Sequence, residues 1–184
     1  SPKTDFDVFV EGVKENNAQK KKALSLQAQQ GLKLFLGKGK CIECHSGPNF
    51  SDSQFHNTQL PGGSSKVEGR SQGKKQIFSS VFNTAGKYSD DVKLGKTRLL
   101  ALAKESGGAN MFKTPTLRNI VKTNPYMHKG QFRNLQDVID FYSEMKGAAK
   151  LPQGQMAEIQ PRNFSKMEKQ QVLAYLKALS SLSK

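Results

Sequence analysis

The stretch "CIECHSGPNF", residues 41–50, carries the only two cysteines of the chain, Cys41 and Cys44, with His45 directly behind them. Two thiols and an imidazole at this spacing could form a disulfide, half of a zinc site, a redox dithiol or the attachment site of a haem. A structural zinc ion needs four ligands, usually two Cys pairs or a Cys pair with a His pair. The chain has no second CxxC, and its other histidines, His56 and His128, stand singly and far apart. A thioredoxin-like CxxC sits in a βαβ context, whereas the preceding "LSLQAQQGLKLFLGKGK" reads as a helix. What remains is C-x-x-C-H, the c-type haem attachment pattern. In that chemistry Cys41 and Cys44 form thioethers to the porphyrin edge, and His45 supplies the proximal nitrogen to iron. The competing reading is an accidental CxxCH with a structural disulfide.

Elements on either side must position this stretch. Ser25 is a plausible N-cap. Ala28, Leu32, Phe35 and Leu36 follow at helical spacing until Gly37 and Gly39 end the helix. Gly31 lies on that same face. A glycine inside a helix costs stability relative to Ala, so its presence predicts close approach by another helix. Asn134 can cap "LQDVIDFYSEM", with Leu135, Val138, Ile139, Tyr142 and Met145 on one face and Tyr142 near its centre. "SKME" is a capping box that opens the last helix at Ser165. Its apolar face is Val172, Leu173, Leu176 and Leu179, with Tyr175 beside it. A short helix is expected near "KTRLLALAKE", an extended or turning stretch at "FKTPTLRNI", and loops over residues 46–75. There are no internal repeats and no strong strands. The expected class is all-α, a cytochrome c-like haem domain with long loops, in which the helices before and after the motif cross at Gly31. Residues 1–22 read as an N-terminal arm and 23–184 as a single c-type haem domain.

Eleven Phe and no Trp in 184 residues suit a small core wrapped on a flat aromatic cofactor. The formal net charge is +14. Lysines cluster at Lys20 to Lys22, at Lys38 and Lys40, at Lys74 and Lys75, and near Lys93 to Arg98. Such a field steers association with acidic partners. No zinc finger, RNP-like stretch or helix-turn-helix accompanies it, so nucleic acid is not the expected partner. No run is long and apolar enough for a membrane span, and no signal peptide opens the sequence. The chain reads as mature or truncated. Covalent haem implies assembly outside the cytoplasm, in the periplasm or an equivalent compartment.

Three stretches carry a family resemblance: "GLKLFLGKGKCIECHSGPNFSDSQFHNT" (31–58), "EGR" (68–70) and "FKTPTLRNIVKTNPYMHKGQFRNLQDVIDFYS" (112–143). From about Phe6 onward the chain resembles the C-terminal, electron-transfer haem domain of the bacterial di-haem cytochrome c peroxidases and their MauG-type relatives. The resemblance implies one covalent haem c here and a peroxidatic haem on another domain. It implies that Arg118, and with it Arg70, lies near the haem propionates, and that Thr123 and Pro125 offer carbonyls to an interdomain calcium ion. His56 and His128 fall in family motifs as supporting residues. The distal iron position is left open. Tyr142 stands where the peroxidases place a Met, as in MauG, and tyrosinate would favour ferric iron; Met127 and Met145 are the alternatives, ahead of Met111, His56 and His128. The expected function is electron transfer within a di-haem peroxidase or MauG-like oxidoreductase, with weak or absent peroxide turnover by this chain alone. A stand-alone haem peroxidase with an open distal site and a non-catalytic haem subunit of a larger complex are the rivals. Expected partners are a second haem domain or subunit, a second copy of this chain, or an acidic redox protein.

Overall fold

The computed structural model describes residues 3–62, 69–105, 108–151 and 157–181. In chain order the elements are α1 (Asp5–Lys14), α2 (Ala18–Lys21), α3 (Leu26–Leu36), a 3-10 turn at Cys41–Glu43, β1 (Phe55–His56), α4 (Arg70–Ser79), α5 (Val92–Lys104), β2 (Phe112–Lys113), a 3-10 turn at Ile120–Lys122, α6 (Leu135–Glu144) and α7 (Lys166–Ala178). The chain is mostly helical. The one ladder among the described residues is the antiparallel pair β1–β2, with Phe55 opposite Lys113 and His56 opposite Phe112. The chain divides into two compact units, Ser1–Gln54 with Thr114–Gly147 and Ile159–Lys184, and Phe55–Lys113 with Ala148–Glu158.

In the first unit the helix starts follow from their caps. The Ser25 side chain accepts from the Ala28 N–H, Asn134 from the Asp137 N–H, and Ser165 with Glu168 forms the reciprocal capping box. The predicted crossing is present. Helices α3 and α7 pack together at Gly31, where a Cβ would collide with the Gln171 carbonyl oxygen and lie 2.9 Å from Tyr175 Cβ. Tyr175, expected beside the apolar face of α7, is at its centre and only 1% exposed. Burial pushes its phenol well above the usual range. Phe35 and Tyr175 meet edge to face with centroids 5.1 Å apart, and Phe6 joins Tyr175 at 5.6 Å and Phe50 at 5.4 Å. Leu36 departs from the expectation, being 51% exposed. At about 100° per residue it lies roughly a quarter turn or more from Phe35, past the edge of the stripe.

Residues 1–22, expected as an arm, carry α1 and α2. Thr4 caps α1 in a box with Asp7, and Phe6 packs on the core of this unit.

The second unit holds α4, α5 and the β1–β2 pair. Helix α5 starts four residues before the segment expected from sequence, because the Asp91 side chain caps it at the Leu94 N–H. Helix α4 falls partly where a loop was expected; it has little apolar patterning and no buried residue. Phe82, Leu100, Tyr88 and Val81 of this unit are more than half exposed.

Candidate haem-attachment site

The motif is presented by the end of α3. Gly39 brings the chain back on itself: a Cβ there would sit 2.7 Å from the Leu34 carbonyl oxygen and 3.2 Å from Cys41 Sγ. Lys40 follows in the left-handed region at φ +50. The 3-10 turn Cys41–Glu43 then carries Cys44 and His45, and the Cys44 and His45 N–H groups both donate to the Cys41 carbonyl. One turn thus carries both cysteines and His45. Neither cysteine is in a disulfide and both are half-buried, which removes the disulfide alternative from this structure. Cys41 packs on the core cluster, and burial pushes its thiol up to about 11 although Arg162 pulls it down.

His45 Nδ1 lies 2.8 Å from the Phe50 carbonyl oxygen. A carbonyl can only accept, so Nδ1 carries a proton, and in the neutral ring the lone pair then belongs to Nε2. That is the arrangement a metal-ligating histidine needs. Two thiols outside any disulfide and an imidazole poised through Nε2 fit a c-type haem.

Arg118 is half-buried and committed to protein groups. Its Nε donates to the Pro48 carbonyl at 2.9 Å, and its NH1 reaches both Asp7 carboxylate oxygens at 2.8 and 2.7 Å. Its guanidinium carbon lies 5.2 Å from the Phe50 ring centroid. For Asp7, burial alone would raise the carboxyl pKa, but hydrogen bonds from Thr4 and Arg118 outweigh it and hold it below the ordinary value. Arg70, in the second unit, is paired with Glu105 at 2.6 Å and stacked over Phe55 at 4.3 Å. Glu68 of "EGR" lies outside the described residues.

On α6, Leu135, Ile139, Phe141 and Ser143 are buried, whereas Val138 of the predicted stripe and Tyr142 near its centre are half-buried. The Tyr142 ring meets Phe141 edge to face at 5.3 Å. Met145 closes the helix at φ +51 and Met127 stands at φ +66, each half-buried. Met111 is half-buried in the second unit. His56 Nδ1 is 2.7 Å from Glu158 Oε2, and His128 is exposed. Thr123 and Pro125 are exposed, and Pro125 follows Asn124 through a cis peptide bond. In the expected interdomain site they would give two of the roughly six to eight oxygens that a calcium ion takes.

Asp7, Thr116 and Phe50 are residues of this site that sequence reasoning did not single out. "TDFD" at residues 4–7 was a legible capping signal for Asp7. Nothing local pointed to Phe50 as the acceptor for His45.

No protein-family model matches the chain. Against known proteins it is 34% identical over 160 residues to the cytochrome-c peroxidase IdrP2 of Denitromonas iodatirespirans, covering 86% of this chain and 41% of that protein. It is 31% identical over 159 residues to the methylamine utilization protein MauG of Methylorubrum extorquens, covering 86% of this chain and 36% of the relative. Among solved structures, a MauG-like protein associated with microbial copper homeostasis superposes with a TM-score of 0.63 at 24% identity, covering 99% of this chain and 53% of that one. The chain spans about two-fifths of the length of the curated relatives it matches. With a CxxCH turn at Cys41–His45 and this similarity along most of its length, the chain belongs to the family of the bacterial di-haem cytochrome c peroxidases and MauG proteins.

Proposed function

We propose that residues 23–184 form a single c-type haem domain that transfers electrons within a di-haem peroxidase or MauG-like oxidoreductase. The observation that carries this reading is the Cys41–Glu43 turn, with both thiols outside any disulfide and His45 oriented through Nδ1 onto the Phe50 carbonyl. Cys41 and Cys44 would hold the porphyrin edge, and His45 would offer Nε2 to the iron. When bound, the haem supplies a one-electron centre. Tyr142 is the proposed distal ligand, with Met127 and Met145 as alternatives. Half-burial of Tyr142 between the buried Phe141 and Ser143 on α6, with Val138 half-buried one turn before it, supports a helix face turned to a flat cofactor. Arg118 does its work by holding protein groups around His45, and Arg70 stabilises the second unit through Glu105; the propionate roles implied by resemblance draw no support from these pairings.

The peroxidatic centre of the reading lies on another domain or subunit, so peroxide turnover by this chain alone is weak. Covalent attachment assigns the protein to the periplasm or an equivalent compartment. Among the described residues no helix is long and apolar enough to cross a membrane. Partners of the reading are a second haem domain or subunit and an acidic redox protein. The test is retention of pigment through acid-acetone extraction, with the denatured chain heavier by one haem. Extraction of the pigment, or the mass of the bare chain, overturns the reading.

A further inference from the structure

The segment Thr114–Arg118 is laced to the loop behind His45 by a run of hydrogen bonds. Three consecutive carbonyls of that loop each receive a separate donor. Pro48 accepts from Arg118 Nε at 2.9 Å, Asn49 from Thr116 Oγ1 at 2.6 Å, and Phe50 from His45 Nδ1 at 2.8 Å. The Thr116 hydroxyl also accepts from the Arg118 N–H at 3.1 Å, and Ser51 Oγ donates to the Thr114 carbonyl at 2.7 Å. Phe50 itself stands at φ +50. A bulky residue adopts that conformation only where its surroundings hold it. Here the ring is buried against Phe6 and Phe35 beneath the Arg118 guanidinium.

We propose that Thr116 and Arg118, with Asp7 behind Arg118, are positioning residues for His45. They fix the direction of the Phe50 carbonyl and hence the proton on Nδ1. This rests on the haem reading above. The reach is long-range: Asp7 on α1 grips Arg118, Arg118 grips Pro48 and covers Phe50, and Phe50 orients the imidazole. A carbonyl that accepts the Nδ1 proton strongly makes Nε2 a better donor. A better donor favours the more positive, oxidised metal, so loosening the loop raises the reduction potential. Neither Thr116 nor Arg118 is placed on iron or porphyrin, and their effect passes through His45.

The experiment is a redox titration of the full haem-loaded chain and of Thr116→Val, Thr116→Ser, Arg118→Gln and Asp7→Asn, with thermal unfolding run in parallel. Thr116→Val and Arg118→Gln should raise the ferrous-to-ferric ratio at a fixed poise about tenfold, which is ~59 mV for a one-electron couple. Asp7→Asn should move it in the same direction by less, and Thr116→Ser, which keeps the hydroxyl, should titrate as wild type. Midpoints that stay at the wild-type value while unfolding temperatures fall would show a merely structural strap and overturn the proposal. Thr116 is exposed, so Thr116→Val still decides the question where Arg118→Gln does not fold. A wild-type chain without covalent haem overturns the underlying reading, and this proposal with it.

Discussion

Tyr142 and Asp7 are the residues whose chemistry is easiest to interrogate singly. Tyr142 is half-buried between the buried Phe141 and Ser143. As a distal ligand its phenolate oxygen would favour ferric iron. Tyr142→Phe should therefore shift the ferric spectrum toward high spin and raise the potential. An unchanged spectrum would make Tyr142 a packing residue, and the same measurement on Met127 and Met145 variants would then locate the ligand. Asp7 predicts a pH signature. Its folded-state pKa is depressed, so its pair with Arg118 stabilises the fold above the ordinary carboxylate range and that contribution is lost as pH falls through the folded value. Asp7→Asn should cost about 1.5–3 kcal/mol near neutral pH, the usual worth of a hydrogen bond to a charged group. The gap to wild type should shrink in acid. Denaturant unfolding across the acid range checks it, and a gap independent of pH would mean that the ionised carboxylate contributes nothing. The two thiols, the imidazole and Tyr142 were visible as residue types. The partner of Arg118 was not, since fifteen acidic residues were equally available to it on paper.

Helices α3 and α7 are held as close as they are by one missing methyl group. Gly31→Ala would gain about 0.5–1 kcal/mol of helix propensity. The new Cβ would also run into the backbone carbonyl of Gln171, and overpacking of this kind costs roughly 1–3 kcal/mol. The net effect should be destabilising, and because only residues 37–40 separate α3 from Cys41, the haem yield expected on the proposed reading should fall with it. A variant as stable as wild type would mean that α7 slides away without penalty. At the N-terminus of α7, Ser165→Ala removes one side of the capping box and should cost about 1 kcal/mol, read from the same unfolding curves. These starts and the crossing were legible because caps act over three residues and a helix face repeats every few. Helix α4 was not: it has no buried residue and no apolar stripe to announce it. Helix α1 was missed although its Thr4–Asp7 box was legible, because Pro2, the mixed charge and the lysine run made residues 1–22 read as an arm.

For the molecule as a whole, the +14 charge predicts electrostatic steering of an acidic redox partner. Several lysines are tied down, Lys38 to Glu168 and Lys169 to Asp140 and Glu144, yet lysines exceed what fifteen acids can neutralise. The bimolecular rate of electron exchange with an acidic cytochrome should fall at least about tenfold from low salt to a Debye length of a few ångströms. Stopped-flow mixing over a salt series measures it, and a flat profile would assign the lysines to solvation alone.

The CxxCH pattern, the helix caps and the glycine on the α3 face were written in residues close together in the chain. A thioether pair, a capping box and a helical stripe each need only fixed local spacing, and local spacing is written in order along the sequence. Tertiary structure alone decided that Asp7 meets Arg118 across 111 residues, that Arg70 turns to Glu105, that Tyr175 is the centre of the core, and that the loop after His45 offers its carbonyls to Thr116 and Arg118. Long-range pairs are selected by which surfaces the packed helices bring together. A chain with twenty-nine basic groups has many pairings of comparable local merit, and only burial in one fold distinguishes them.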